Sequence, residues 1–300
     1  MSAALFPRHI AALILATLAC SFAGNHIAAR IAFDHEAGLL LAILCRSGVT
    51  LLVLSALVLW QRDSLRLKRE TWGWQLLLGT LIAVQSFCIY SAVARIPVGL
   101  ALLVVNLSPI LLALLTWILG GPAPTRRAAV IMGVILIGLM LVLDVPARLA
   151  SQGAIDERWV EGVLFSLTAA GVFAVALWVT EHRLSAMPGR VRSMLTMAVV
   201  FSLSAMVGAS GALPGGVGLP NALAGWIALG VLVTLYGTAF SLLFILMPRL
   251  DIARNAPVMN MEPVAGMLFG WLILGQLLGA LQVLGGLIVV GGIIALAYRR

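Results

Sequence analysis

Apolar residues run along this chain in long unbroken blocks. Ten blocks of about membrane-spanning length stand out, near 9–30, 38–60, 72–94, 98–119, 128–145, 159–181, 191–212, 222–247, 253–274 and 278–297. A helix needs about 20 such residues to cross a bilayer core, and the fifth block is near the lower limit. Only helices and closed barrels satisfy their backbone in lipid. Barrel strands alternate apolar and polar positions, and these blocks do not. The pattern predicts an all-α membrane protein of ten transmembrane helices, with connections too short to fold by themselves.

Composition agrees: 62% hydrophobic, 10% charged, mean hydropathy +1.11, outside the range of soluble domains. The first block has the basic flank of a signal peptide (Arg8, His9), but it is long and more spans follow, so we expect it to be retained. Cys20, Cys45 and Cys88 all fall inside blocks. With no CxxC and only scattered histidines, no metal site or cofactor is expected, and the cysteines read as small packing residues.

A net charge of +8 raises the question of nucleic acid, and its distribution answers no. Arg8, then Arg62, Arg66, Lys68 and Arg69, then Arg126 and Arg127, then Arg183, Arg190 and Arg192, then Arg249 and Arg254, then Arg299 and Arg300 occupy alternate loops on one side. The other side holds Arg30, Arg95, Arg148 and Arg158 together with the acidic Asp144, Asp156, Glu157 and Glu161. The positive-inside rule then places both termini in the cytoplasm.

The chain also repeats itself. At an offset of 154, Arg95, Asn106, Pro109, Trp117, Gly121 and Gly138 pair with Arg249, Asn260, Pro263, Trp271, Gly275 and Gly292. At 151, Thr17, Ala19, Phe22 and Ala23 pair with Thr168, Ala170, Phe173 and Ala174. Residues 1–150 and 151–300 thus form two five-span repeats within one structural domain. Similar halves with an odd span count must face opposite ways, which is the inverted repeat of secondary transporters, with the substrate site near the midplane where the halves meet. Gly133 and Gly138, and Gly285, Gly286, Gly291 and Gly292, are expected to allow close helix packing.

Polar residues inside spans are the candidates for function. Glu262 lies near mid-depth. It binds an amino group or carries a proton from a cavity wall, or else caps a broken helix or pairs with Arg46. Arg46, roughly 12 Å from the outer end of its span at 1.5 Å per residue, is expected to tie helices together. Asn106 and Asn260 stand three residues before Pro109 and Pro263, each of which frees a carbonyl one turn earlier. Each Asn satisfies such loose groups or faces substrate. Asn25, Gln85, Tyr90, Trp178 and Tyr236 complete the expected lining, with Ser21, His26 and Thr238 as further polar positions. Trp72, Trp74 and Trp159 read as interface anchors.

The stretch "MEPVAGMLFGWLILGQLLG", from Glu262-Pro263 through Leu268, Gly270, Trp271 and Gly275, resembles span 9 of the ten-helix EamA-type exporters of the drug/metabolite transporter superfamily. "NLSPILLALLTWILGG" resembles its first-half copy, and "AILCRSGVTLL" around Arg46 the Arg-containing second span. Gln276 stands where that pattern ends in an acid. Within the superfamily the chain is most similar to bacterial amino-acid exporters of the YddG type. The resemblance implies a basket whose cavity is lined mainly by spans 1, 3, 4, 6, 8 and 9. It also implies export of small metabolites, amino acids first, by alternating access, with proton antiport and uniport both open. A multidrug or other metabolite exporter of the same fold, and a channel, are the alternatives. No set of residues in the sequence supports an enzyme.

The orientation is testable directly. On a cysteine-free background, a cysteine at Gln152 should react with an impermeant thiol reagent from the periplasmic side, and one at Ser64 should not. The reverse pattern would refute the orientation.

Overall fold

The computed structural model describes residues 6–61, 69–144, 156–213, 215–246, 249–250 and 256–297. Gln152, Ser64 and the expected boundary at residues 150 and 151 lie outside them. The described residues form helices α1 (Arg8–Asp34), α2 (Leu39–Gln61), α3 (Arg69–Val93), α4 (Val98–Val105), α5 (Ser108–Ile118) and α6 (Arg126–Val142) in the first half. The second half holds α7 (Glu157–His182), α8 (Gly189–Ser210), α9 (Leu223–Leu246), a 3-10 turn (Ala256–Asn260) leading into α10 (Met261–Leu274), and α11 (Ala280–Ala297). These are the ten spans, with the fourth and ninth broken.

Seven segments are long and apolar enough to cross a membrane, the α4–α5 pair counting as one. At 17 residues α6 extends only about 26 Å. Leu13, Leu52, Leu59, Ile118 and Leu287 are more than 60% exposed. Side chains of this kind around a helical bundle suit contact with lipid.

The two halves interlock. The strongest contacts run between them: α6 on α11, α2 on α8, α1 on α9, α3 on α7. Under an exchange of halves α1 becomes α7, α2 becomes α8, α3 becomes α9 and α6 becomes α11. The α6–α11 and α2–α8 pairs then map onto themselves, and α1–α9 maps onto α7–α3. Lesser contacts obey the same exchange: α1–α10 matches the packing of α7 on α4 and α5, and α3–α8 matches α9–α2. This is the contact pattern of a 5+5 inverted-topology repeat. No comparable set of contacts holds either half together alone.

Two local features carry this interlock. At the α6–α11 crossing, a methyl group added to Gly285 would come within 2.5 Å of the Gly138 carbonyl oxygen. Gly133 and Gly291, by contrast, have open space where a side chain would begin, so only part of the expected glycine set serves close approach. At the end away from the basic loops, the Gln276 side-chain oxygen accepts the Val98 N–H at 3.1 Å. A residue of the second half thereby satisfies one of the orphan donors that open α4. An acid at position 276 would do the same with added favourable charge.

Gly285→Val should therefore cost about 1–3 kcal/mol through overpacking, read as a lower thermal midpoint in detergent. Gly291→Val on the same helix should leave the midpoint nearly unchanged. Equal losses for both would contradict the crossing described.

Candidate functional site

Both breaks have the same backbone form. Asn106, at the end of α4, has φ −67° and ψ 0°. Asn260, at the start of α10, has φ −68° and ψ 0°. Pro109 removes the donor that the Val105 carbonyl would otherwise receive. The Ser108 hydroxyl donates to that carbonyl at 2.5 Å instead. Repair of the break is thus the work of Ser108; neither Asn side chain makes a hydrogen bond among the described residues. Ser108 is the repeat mate of Glu262. One half uses this position to mend the helix, and the other puts a carboxylate there.

Beside the breaks lies a cavity of about 380 Å³, within the usual range for small-molecule sites. Phe22 and Phe173 both line it, and they are repeat mates. So are Arg46 and Met197 at the same offset, and Ile82 and Tyr236, Ile89 and Leu243, Val105 and Met259 at the other. A cavity walled by mates from both halves lies on the pseudo-twofold axis that relates them.

The cavity extends toward one end. Thr180, Arg192, Ser193, Thr196 and Leu243 carry its walls to the last or first two turns of α7, α8 and α9, with Leu78 of α3 deeper, on the side of the basic loops. Toward the other end the bundle is shut by Ile27, Ala28, Ala29, Ile43, Val93 and Leu232, all buried in one apolar cluster.

Of the residues expected from sequence, Gln85, Tyr236 and Glu262 line the cavity. Asn25 and Tyr90 do not; they are fully buried behind it. Asn106 and Asn260 do not line it either. Trp178 is a correction too: it stacks on His182 at 4.8 Å and packs with Trp74 and Leu78 at the inner end. At about 100° per residue it points well away from Phe173 and Thr180, which share the lining face of α7. The lining also draws on α2 through Arg46 and on α8 through Arg192, Ser193, Thr196 and Met197. Spans 2 and 7 therefore join the six expected.

Arg46 is the centre of the floor. It is 4% exposed, donates from Nη1 to the Tyr90 hydroxyl at 3.2 Å and from Nη2 to Ser86 Oγ at 2.7 Å. Its Cζ stands 4.1 Å from the Tyr236 ring centre and 4.8 Å from that of Tyr90. Tyr90 in turn donates to Asn25 Oδ1 at 3.0 Å. These bonds link α1, α2 and α3, and Arg46 makes them to side-chain hydroxyls rather than to backbone carbonyls. Its pairing with Glu262 is not found: the imidazole of His26 stands beside Glu262 instead, with Nε2 3.7 Å from Oε1. Among the described residues no group of three or more His, Cys, Asp or Glu is placed to hold a metal ion.

An inverted-repeat helical bundle with a cavity on its symmetry axis defines a membrane transporter. The EamA-like transporter family matches residues 9–144 and 160–298, and the chain belongs to that family. The two matched stretches coincide with the two five-span halves. One solved structure, titled only "Crystal structure of protein", is similar over 97% of this chain and 99% of its own, with 23% identity and a TM-score of 0.63. That likeness concerns the fold. No curated protein matches the chain.

Tyr90→Phe removes the acceptor for Arg46 and the donor to Asn25 together. It should destabilise the protein by about 1–3 kcal/mol, the scale for charged or buried hydrogen-bond partners, measured as a lower thermal midpoint. An unchanged midpoint would mean that the Arg46–Tyr90–Asn25 chain does not hold the floor.

Proposed function

We propose that this transporter exports small metabolites, amino acids foremost, across the bacterial inner membrane by alternating access, with both termini in the cytoplasm. The observation that carries the reading is the cavity on the pseudo-twofold axis, whose lining among the described residues runs toward the end with the basic loops. Exchange of the two halves' conformations would close that mouth and open the opposite one, because each wall has its mate. The export direction rests on the resemblance to ten-helix exporters.

Cavity chemistry favours amino acids. Gln85, Tyr236 and Glu262, with Arg46 and His26, offer polar groups near the floor. Phe22, Phe173, Met197, Phe240 and Met259 give apolar walls for a side chain. Asn25 and Tyr90 act through Arg46, and Asn106 and Asn260 through the helix breaks they occupy. Trp178, beyond the wall, shapes the inner end. Selectivity among neutral side chains should be loose, because a pocket distinguishes one methylene by only about 1–3 kcal/mol. The apolar walls also suit larger amphipathic compounds, so a multidrug exporter is the second reading.

The test is uptake of a labelled amino-acid panel into proteoliposomes, with and without a pH gradient. Several neutral amino acids, such as Met, Thr or Phe, should compete at similar concentrations, and Asp should compete poorly. Silence toward every amino acid, together with protection of cells against a toxic-compound panel, would move the assignment to the drug reading. If Glu262 carries the coupling proton, Glu262→Gln should abolish the pH dependence of uptake. A well-folded mutant that keeps wild-type pH dependence removes Glu262 from coupling.

A further inference from the structure

The cavity floor holds more hydrogen-bond donors than the fold uses. A guanidinium is always charged and only donates. Among the described residues, no carboxylate lies within 4.0 Å of Arg46. Its Nε is buried and has no partner. The same logic fixes the neighbours. Because Arg46 only donates, the Tyr90 oxygen accepts from it, and the Tyr90 proton goes to Asn25 Oδ1. Asn25 is left with its amide N–H groups, and Nδ2 is buried without a partner. Surplus donors and an uncompensated positive charge thus meet at a residue that lines the cavity.

Acceptors gather at Glu262, which lines the same cavity with 28% of its side chain exposed. His26 Nε2 stands 3.7 Å from its Oε1, and His26 Nδ1 has no partner. With the ring proton on Nε2, facing the carboxylate, Nδ1 presents a lone pair. Two opposite charges on one cavity, neither satisfied by the other, are costly unless a third party satisfies both.

We infer that the substrate is a zwitterion held at both charged ends, its carboxylate on the Arg46 guanidinium and its ammonium on Glu262. This rests on the transport reading above and narrows it to compounds carrying both groups. The rings of Tyr90 and Tyr236 pack against the guanidinium face, and beyond their bonds to Tyr90 and Ser86 Nη1 and Nη2 each keep one N–H with which to meet a carboxylate. Arg46 is then a binding residue as well as a tie between helices.

The experiment uses the full chain in proteoliposomes, with counterflow of labelled phenylalanine. The competitors are phenylalanine, hydrocinnamate (carboxylate without amine) and phenethylamine (amine without carboxylate). Thermal shift with each ligand on the purified protein is read in parallel. Arg46→Gln should raise the half-effective concentrations of phenylalanine and hydrocinnamate roughly tenfold or more, the scale of a lost charged hydrogen bond, and leave phenethylamine nearly unchanged. Glu262→Gln should do the opposite. Should Arg46→Gln fail to fold, Arg46→Lys serves: it keeps the charge without the fork, and should weaken the two carboxylate ligands selectively. If wild type carries phenylalanine and the Arg46 variants weaken all three ligands equally, or none, the zwitterion site is overturned and the transport reading stands. If folded wild type neither binds nor carries phenylalanine or any other amino acid of the panel, the zwitterion site and the amino-acid reading both fall.

Discussion

Backbone that leaves the helix at mid-membrane depth survives only where protein or a water-filled cavity covers it. Two such places exist in this chain, at Asn106 and Asn260, and much of the architecture answers to them. The α4 break is covered by packing of α4 on α10 and α7, and the α10 break by packing on α1. Each half shields the other's weak point. The halves therefore cannot be two lobes side by side. The divergence of Ser108 and Glu262 follows from the same constraint. The Ser108 hydroxyl mends the α4 break, while the matching position in the other half, Glu262, puts a carboxylate on the cavity.

That charge and Arg46 set the character of the cavity. Most of its wall is apolar, so a polar substrate finds few competing partners on the way in. At the floor the dielectric is low and the buried guanidinium is held by hydroxyls and aromatic faces rather than by a carboxylate. Such partners reduce the cost of burying the charge without neutralising it. The remaining attraction is available to a ligand. A structural ion pair between Arg46 and Glu262 would have consumed it.

The spans, their number and the two breaks were legible in the sequence, because length, hydropathy and the Asn-x-x-Pro pairs follow directly from bilayer thickness and proline chemistry. The inverted halves followed from an odd span count and a handful of scarce residues. Which face of each helix looks inward was harder to read. Lipid is as apolar as a protein interior, so no hydrophobic face marks the inside of a membrane helix. Trp178 was assigned to the lining on chemistry alone, whereas Phe173 and Thr180 on the same helix occupy it. Arg192 was counted as a loop charge for topology, yet it lines the inner mouth. Ser108 is legible in the sequence as the mate of Glu262, but its mending role is not, because a serine in an apolar run is usually interhelical glue; its place one residue before Pro109 is the available signal. His26 stood out only by depth, and its nearness to Glu262 needed the packing of α1 against α10.

The central claim is that one cavity is exposed alternately to the two sides of the membrane. Thr180 lines the cavity near the end with the basic loops, and its repeat mate Ala29 is fully buried toward the opposite end. The direct measurement is the labelling rate of Thr180→Cys and of Ala29→Cys, each on a cysteine-free background, by an impermeant thiol reagent during substrate exchange. Turnover should slow the reaction at 180 from the inside and raise the reaction at 29 from the outside. If the two rates rise together, or if position 29 stays unreactive while substrate crosses, the cavity is not an alternating one and the account fails.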